Sequence, residues 1–208
     1  MTKKNILEII ERLKQHYEAN CQLTHVKDYE LLFAVRLSAQ CTDARVNMIT
    51  PILFDRYKTL EEFAAADVDE IRAIVKPCGF YSVKGADIKN AAIMLLEKFG
   101  GKVPDNMEDL LSLPGVGRKT ANLILGDIYG QPAIVADTHC IRISNKLGLA
   151  DSKDPHKVEI QLKKIIPPKE QNDFCHRLVH FGRDICTARS PKCTECFLKD
   201  LCKTGKKI

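Results

Sequence analysis

Apolar residues recur along most of the chain at three- and four-residue spacing, as in Ile6, Ile9, Ile10, Leu13 and Tyr17, with charged residues between them. That period is the signature of helices laying one face on a core. With few glycines and prolines to interrupt it, the pattern predicts an all-α protein. Helices are predicted over residues 3–19, 27–38, 42–57, 59–65, 67–75, 82–99, 107–112, 117–129, 138–147, 155–165 and 170–183. The clearest start is Asp154 before Pro155, a capping side chain ahead of a first-turn proline.

The 208 residues suit one domain or two small ones, long enough to bury a core without disulfide staples. Thirty-two Lys and Arg against 27 Asp and Glu leave a surplus of +5, which permits contact with a polyanion without establishing it. No stretch approaches the roughly 18 apolar residues of a membrane span. The opening MTKKNILEIIERLKQHYE mixes charge with apolar residues and predicts no signal peptide. A reducing compartment is therefore expected, the bacterial cytoplasm above all. The basic tail Lys203 to Lys207 is expected to fray.

Nine cysteines in such a chain argue for free thiols or a metal centre. Cys186, Cys193, Cys196 and Cys202 lie within seventeen residues, with six, two and five residues between them. Such short loops let four thiolates converge, and they suit either a tetrahedral zinc or an iron–sulfur cluster. Cys21, Cys41, Cys78, Cys140 and Cys175 are scattered and are expected to be small buried apolar residues.

The segment Leu113-Pro114-Gly115-Val116-Gly117-Arg118-Lys119-Thr120-Ala121 joins two helical stretches by a tight turn. Gly115 and Gly117 can take positive φ and bring backbone amides to an anion such as a phosphate, with charge added by Arg118 and Lys119. A bare pair of glycines fits an ordinary helix connection as well. Eighteen residues after Lys119, a Gly/Pro loop ends in Asp137, which can cap the next helix.

Together, SAQCTD at 38–43, LPGVGRKTAN at 113–122, VADTH at 135–139 and the four-cysteine spacing resemble the helix-hairpin-helix, Gly/Pro-Asp superfamily of DNA glycosylases over nearly the whole chain. The resemblance implies two helical domains flanking a DNA-binding cleft, one over 21–132 and one combining 1–20 with 133–208. It implies a [4Fe-4S] cluster on Cys186, Cys193, Cys196 and Cys202, with the basic loop carrying Arg189 and Lys192 on DNA phosphates. The implied activity is bifunctional: removal of oxidised pyrimidines from double-stranded DNA, then strand cleavage at the abasic site.

By the same resemblance, Lys119 is the nucleophile, forming a Schiff base with the sugar, and Asp137 is the carboxylate that supports it. Gln40 fills the gap left by the flipped nucleotide. Phe80 stands where relatives usually carry a wedging leucine, a departure that puts opposite-base preference in question. Gly115, Gly117 and Arg118 hold phosphate, and Asp43 and His139 line or adjoin the base pocket. Damaged DNA is the implied partner, with no membrane, no obligate protein partner and a monomer as default. An adenine-specific mismatch relative is disfavoured by Lys119 and by the chain stopping soon after Cys202. A non-catalytic DNA-binding module would leave the joint presence of Lys119 and Asp137 without a reason.

Overall fold

The computed structural model describes residues 1–205, all helix and loop with no strand among them. The helices are α1 (Lys3–His16), α2 (Asp28–Ser38), α3 (Asp43–Arg56), α4 (Leu60–Ala65), α5 (Val68–Val75), α6 (Tyr81–Phe99), α7 (Met107–Ser112), α8 (Arg118–Asp127), α9 (Thr138–Leu147), α10 (Pro155–Ile165) and α11 (Gln171–Asp184). Short 3-10 turns occupy Lys76–Cys78 and Pro168–Glu170. Seven helices begin where a side chain takes up an otherwise unpaired first-turn amide: Thr2, Thr42, Thr59, Asp67, Asn106, Asp137 and Asp154. Each such cap stabilises its helix by roughly 1 kcal/mol. Asp154 accepts from the Lys157 amide at 2.8 Å, with Pro155 in the first turn.

Helix α1 ends at His16, short of the predicted residue 19, because Tyr17 turns extended at φ −138° and ψ 132°. The turn directs the tyrosine ring toward His180, Phe181 and Phe197, and its hydroxyl donates to Asp184 at 2.9 Å. Its side chain serves tertiary packing, although its spacing continues the helical pattern.

Cys21–Tyr129 forms one compact unit, and Met1–Asn20 with the described part of Gly130–Ile208 forms the other. In the first, α6 packs on α4 and α5, and α2 packs on α3, α6 and α8. Its core includes Leu31, Leu32, Phe33, Phe63, Ile71 and Leu95, with Phe33 and Phe63 edge to face at 5.0 Å. In the second, α11 packs on α9 and α1 around Ile9, Leu13, Ile143, Phe174 and Phe181.

Of the scattered cysteines, Cys78, Cys140 and Cys175 are buried, but Cys21 and Cys41 are half-exposed. Both lie in loops, Cys21 before α2 and Cys41 between α2 and α3. Burial, with the nearby Asp127 carboxylate, still pushes the Cys21 thiol up to about 12, so it stays protonated. The described start of the basic tail is tied down: the Thr204 amide donates to the Lys146 carbonyl at 3.2 Å. Lys206 and Lys207 lie outside the described residues. Among the described residues, no helix is long and apolar enough to cross a membrane.

Candidate functional site

The hairpin joining α7 to α8 is a type II turn. The Val116 amide donates to the Leu113 carbonyl at 3.2 Å, with Pro114 and Gly115 at the corners and Gly115 at φ +73°. Gly115 is required twice over, since a Cβ there would also meet Arg36 Nε at 2.5 Å and Asp87 Oδ2 at 2.7 Å. Those two side chains form an ion pair of 2.6 Å between α2 and α6, and the turn lies directly on it. Gly117 differs from the expectation of positive φ. It sits at φ −101° with open space where a Cβ would be, and caps α8 with no side-chain bond to its first amides.

Accordingly, Gly115→Ala is expected to cost roughly 2–4 kcal/mol in denaturant unfolding, from left-handed strain plus overpacking. Gly117→Ala should cost about 1 kcal/mol or less. Equal losses would contradict the geometry. Arg118 and Lys119 form the exposed first turn of α8, immediately after this hairpin.

Gln40 and Phe80 are the two non-glycine residues with positive φ among those described, at 55° and 48°. Gln40 follows Ala39 in a type II turn closed by the Cys41 amide on the Ser38 carbonyl at 3.0 Å, occupying the corner that favours glycine. Phe80 caps α6 and is 63% exposed, an unusual state for a large aromatic ring. Strained backbone of this kind persists only where its surroundings hold it, and it concentrates at working sites. Both residues were singled out in sequence; their conformation was not readable there. Asp43 opens α3, half-buried.

In the second unit, residues 130–137 run without regular structure, anchored by the fully buried Ala133 and Ile134. Asp137 ends the loop half-buried, and its Oδ1 accepts from the Cys140 amide at 2.7 Å. It is therefore a helix cap, with Oδ2 not engaged in that bond. The His139 ring instead turns against α11. A Cβ on Gly182 would collide with its Nδ1, and Arg142 lies 3.3 Å from the same nitrogen.

Cys186, Cys193, Cys196 and Cys202 line one cavity of about 60 Å³ with the apolar side chains Leu147, Phe181, Ile185 and Pro191. The segment is pinned to α1: His16 stacks on Phe197 at 3.8 Å, Arg12 donates to the Phe197 carbonyl at 2.8 Å, and Leu198 is fully buried. The Gly205 amide donates to Cys202 Sγ at 3.2 Å. Burial holds the Cys186 and Cys196 thiols above their usual range, while Lys146 and Arg142 pull Cys186 the other way. Those two cations suit a centre made net negative by four thiolates. Among the described residues, no three cysteine, histidine or carboxylate side chains are close enough to share a single metal ion. Four thiols around one largely apolar cavity offer the donor set that an iron–sulfur cluster takes. Arg189 and Lys192 are exposed on the same segment, Lys192 in a loose 3.5 Å pair with Asp184.

Comparison with known proteins gives the family. Residues 33–168 match the HhH-GPD superfamily of base excision DNA repair proteins, and residues 186–202 match the iron-sulfur binding domain of endonuclease III. The endonuclease III of Bacillus subtilis is 44% identical over 190 residues, covering 91% of this chain and 87% of the relative. That of Escherichia coli K12 is 37% identical, covering 100% and 99%. A solved structure of a trapped endonuclease III–DNA covalent intermediate superposes with a TM-score of 0.93 at 42% identity, covering 100% of this chain and 98% of that one. The chain belongs to the HhH-GPD superfamily and, within it, to the endonuclease III family. It carries that family's [4Fe-4S] cluster.

Side chains that sequence reasoning passed over complete the picture. Arg36 and Asp87 underlie the hairpin, Arg142 and Lys146 flank Cys186, and Lys84 is buried beneath the Gln40 and Phe80 turns. Lys84 had a readable signal. It falls in register with Ile88, Ala91 and Leu95 on the buried stripe of α6, where a lysine must find partners inside.

Proposed function

We propose that the chain excises oxidised pyrimidines from duplex DNA and then cleaves the strand at the resulting abasic site, with Lys119 as nucleophile and Asp137 as its carboxylate partner. The observation that carries this reading is the placement of Lys119: an exposed amine in the first turn of α8, presented by a hairpin whose tight turn only Gly115 allows. The damaged nucleotide must first leave the stack. The neutral Lys119 amine then attacks the sugar C1′, and the base departs with the bonding electrons. Ring opening gives a protonated Schiff base, which acidifies the neighbouring C2′ hydrogens. Loss of one of those protons expels the 3′ phosphate, and hydrolysis frees the lysine. One amine thus performs both reactions.

Asp137 stabilises positive charge developing on the sugar and accepts or returns protons around the lysine. The hairpin amides at Gly115 and Gly117, with Arg118, Arg189 and Lys192, hold phosphates and set the register of the duplex without reading its sequence. Gln40 and Phe80 enter the space the flipped nucleotide leaves, Asp43 supports the base pocket, and His139 braces the start of α9 against α11. Cys186, Cys193, Cys196 and Cys202 hold the cluster, which cross-links the segment carrying Arg189 and Lys192. The protein acts as a monomer on chromosomal DNA in the bacterial cytoplasm; the relatives named above come from bacteria.

The direct test is borohydride trapping on duplex DNA bearing thymine glycol or an abasic site. A covalent complex supports the reading, whereas cluster-loaded protein that binds this DNA and traps neither substrate leaves a monofunctional glycosylase or a scaffold. Asp137 can be tested apart from its capping role. Asparagine caps a helix about as well as aspartate, so Asp137→Asn should leave the melting temperature unchanged while lowering excision about 10²–10⁴-fold. Parallel loss of stability and activity would make Asp137 a cap alone.

A further inference from the structure

Lys84 is 1% exposed, an ammonium enclosed in the first unit with no carboxylate among its hydrogen-bond partners in the described residues. Its Nζ donates to the Leu37 carbonyl and to the Cys78 carbonyl, both at 2.8 Å. Its own backbone amide donates to the Phe80 carbonyl at 3.0 Å. Leu37 is in the last turn of α2, three residues before Gln40, and Cys78 ends a 3-10 turn two residues before Phe80. One buried cation therefore joins the stems of both turns that carry strained, positive-φ side chains.

Burying an ammonium is unfavourable, and burial pulls Lys84 below the usual lysine range. An apolar residue could fill the same space on a helix whose neighbouring positions are Ile88, Ala91 and Leu95. What the apolar residue could not do is satisfy the two carbonyls and fix their separation. One α-helical turn further along α6, the Arg36–Asp87 pair ties α6 to α2 again and supports the hairpin. The two polar ties form a seam between α2 and α6, with the hairpin at one end and the Gln40 and Phe80 turns at the other.

We propose that Lys84 is a positioning residue for base extrusion, holding Gln40 and Phe80 in register so that together they occupy the gap opened in the duplex. This rests on the reading of those two residues as the gap-filling pair. Lys84 touches neither DNA nor the reacting atoms; it acts through the two turns.

The test uses cluster-loaded full-length protein and two substrates. Excision of thymine glycol from duplex DNA requires the gap to be filled. Borohydride trapping on a single-stranded abasic oligonucleotide requires only the nucleophile, because no opposite strand is present. Lys84→Met should lower duplex excision about tenfold or more, as displacement of a positioning group by a fraction of an ångström does, while single-stranded trapping stays within about twofold. A paired Gln40→Ala and Phe80→Ala variant should show a comparable duplex loss. Adding Lys84→Met to that pair should lower it no further, since groups acting as one unit are not additive.

A folded Lys84→Met protein with unchanged duplex excision, or a loss that multiplies with the pair, overturns the proposal and leaves the gap-filling reading intact. Unchanged excision in the Gln40, Phe80 pair instead overturns the gap-filling reading, and the proposal with it. Equal losses on both substrates show a general structural role. Lys84→Gln, which retains one donor group, guards against misfolding by the methionine variant. If methionine and glutamine alike prevent folding, Lys84 holds the unit itself and the proposal is wrong.

Discussion

Lys119→Gln is expected to abolish covalent trapping on both thymine glycol and abasic duplexes, and to lower excision by about four orders of magnitude or more. Glutamine is close to lysine in size but cannot form a Schiff base, so loss of trapping reports the amine itself. The substitution should leave the fold almost untouched, because Lys119 is an exposed residue in the first turn of α8 and the hairpin is held elsewhere, by Gly115 on the Arg36–Asp87 pair. Affinity for abasic duplex should stay within a few-fold, since one phosphate-strength contact among several is removed. Borohydride trapping, denaturant unfolding and a binding titration at fixed salt measure the three quantities. A trapped complex in Lys119→Gln would move the nucleophile to another amine.

The second large effect is at the cluster. Cys202→Ser removes one of the four proposed donors and the sulfur that accepts the Gly205 amide, in a segment whose backbone holds little regular structure. Visible iron–thiolate absorption should fall sharply, and limited proteolysis should cut between 186 and 205. The stabilisation lost should resemble that of a removed disulfide staple, roughly 3–5 kcal/mol, or about 15–25 °C in melting temperature for a unit of this size. DNA affinity should drop about 10–100-fold at moderate salt, because Arg189 and Lys192 lose their fixed places. A double substitution of Arg189 and Lys192 to serine, with absorption intact, separates charge from scaffold: it should flatten the salt dependence by about two contacts without altering melting. If Cys202→Ser keeps full absorption, the proposed ligand set is wrong.

Helix boundaries were largely legible because they are written locally. Thr42, Thr59, Asn106 and Asp154 each meet the amide three residues on, so capping needs no knowledge of the rest of the chain. The end of α1 failed for the opposite reason: Tyr17 fits the helical stripe, and only its distant partners Phe197 and His180 explain why it leaves. The same divide runs through the site. Lys119, Asp137 and the four clustered cysteines stand out in the sequence by residue type and spacing. The ion pair beneath Gly115 and the bond from the enclosed Lys84 to the Leu37 carbonyl join residues tens of positions apart. Sequence supplies the position of each residue on its own helix, but not what lies opposite.

The docking of the cysteine segment on α1 has a consequence for biosynthesis. Ile6, Ile9, Ile10 and Leu13 leave the ribosome well before α1's partners α11 and Phe197. Cys21–Tyr129 is contiguous and can condense while synthesis continues. Throughout that interval α1 carries a bare apolar stripe, and the cluster can be completed only once Cys202 has followed. Slow iron supply would therefore prolong the lifetime of an incompletely closed, sticky chain before it lowered the activity of finished enzyme.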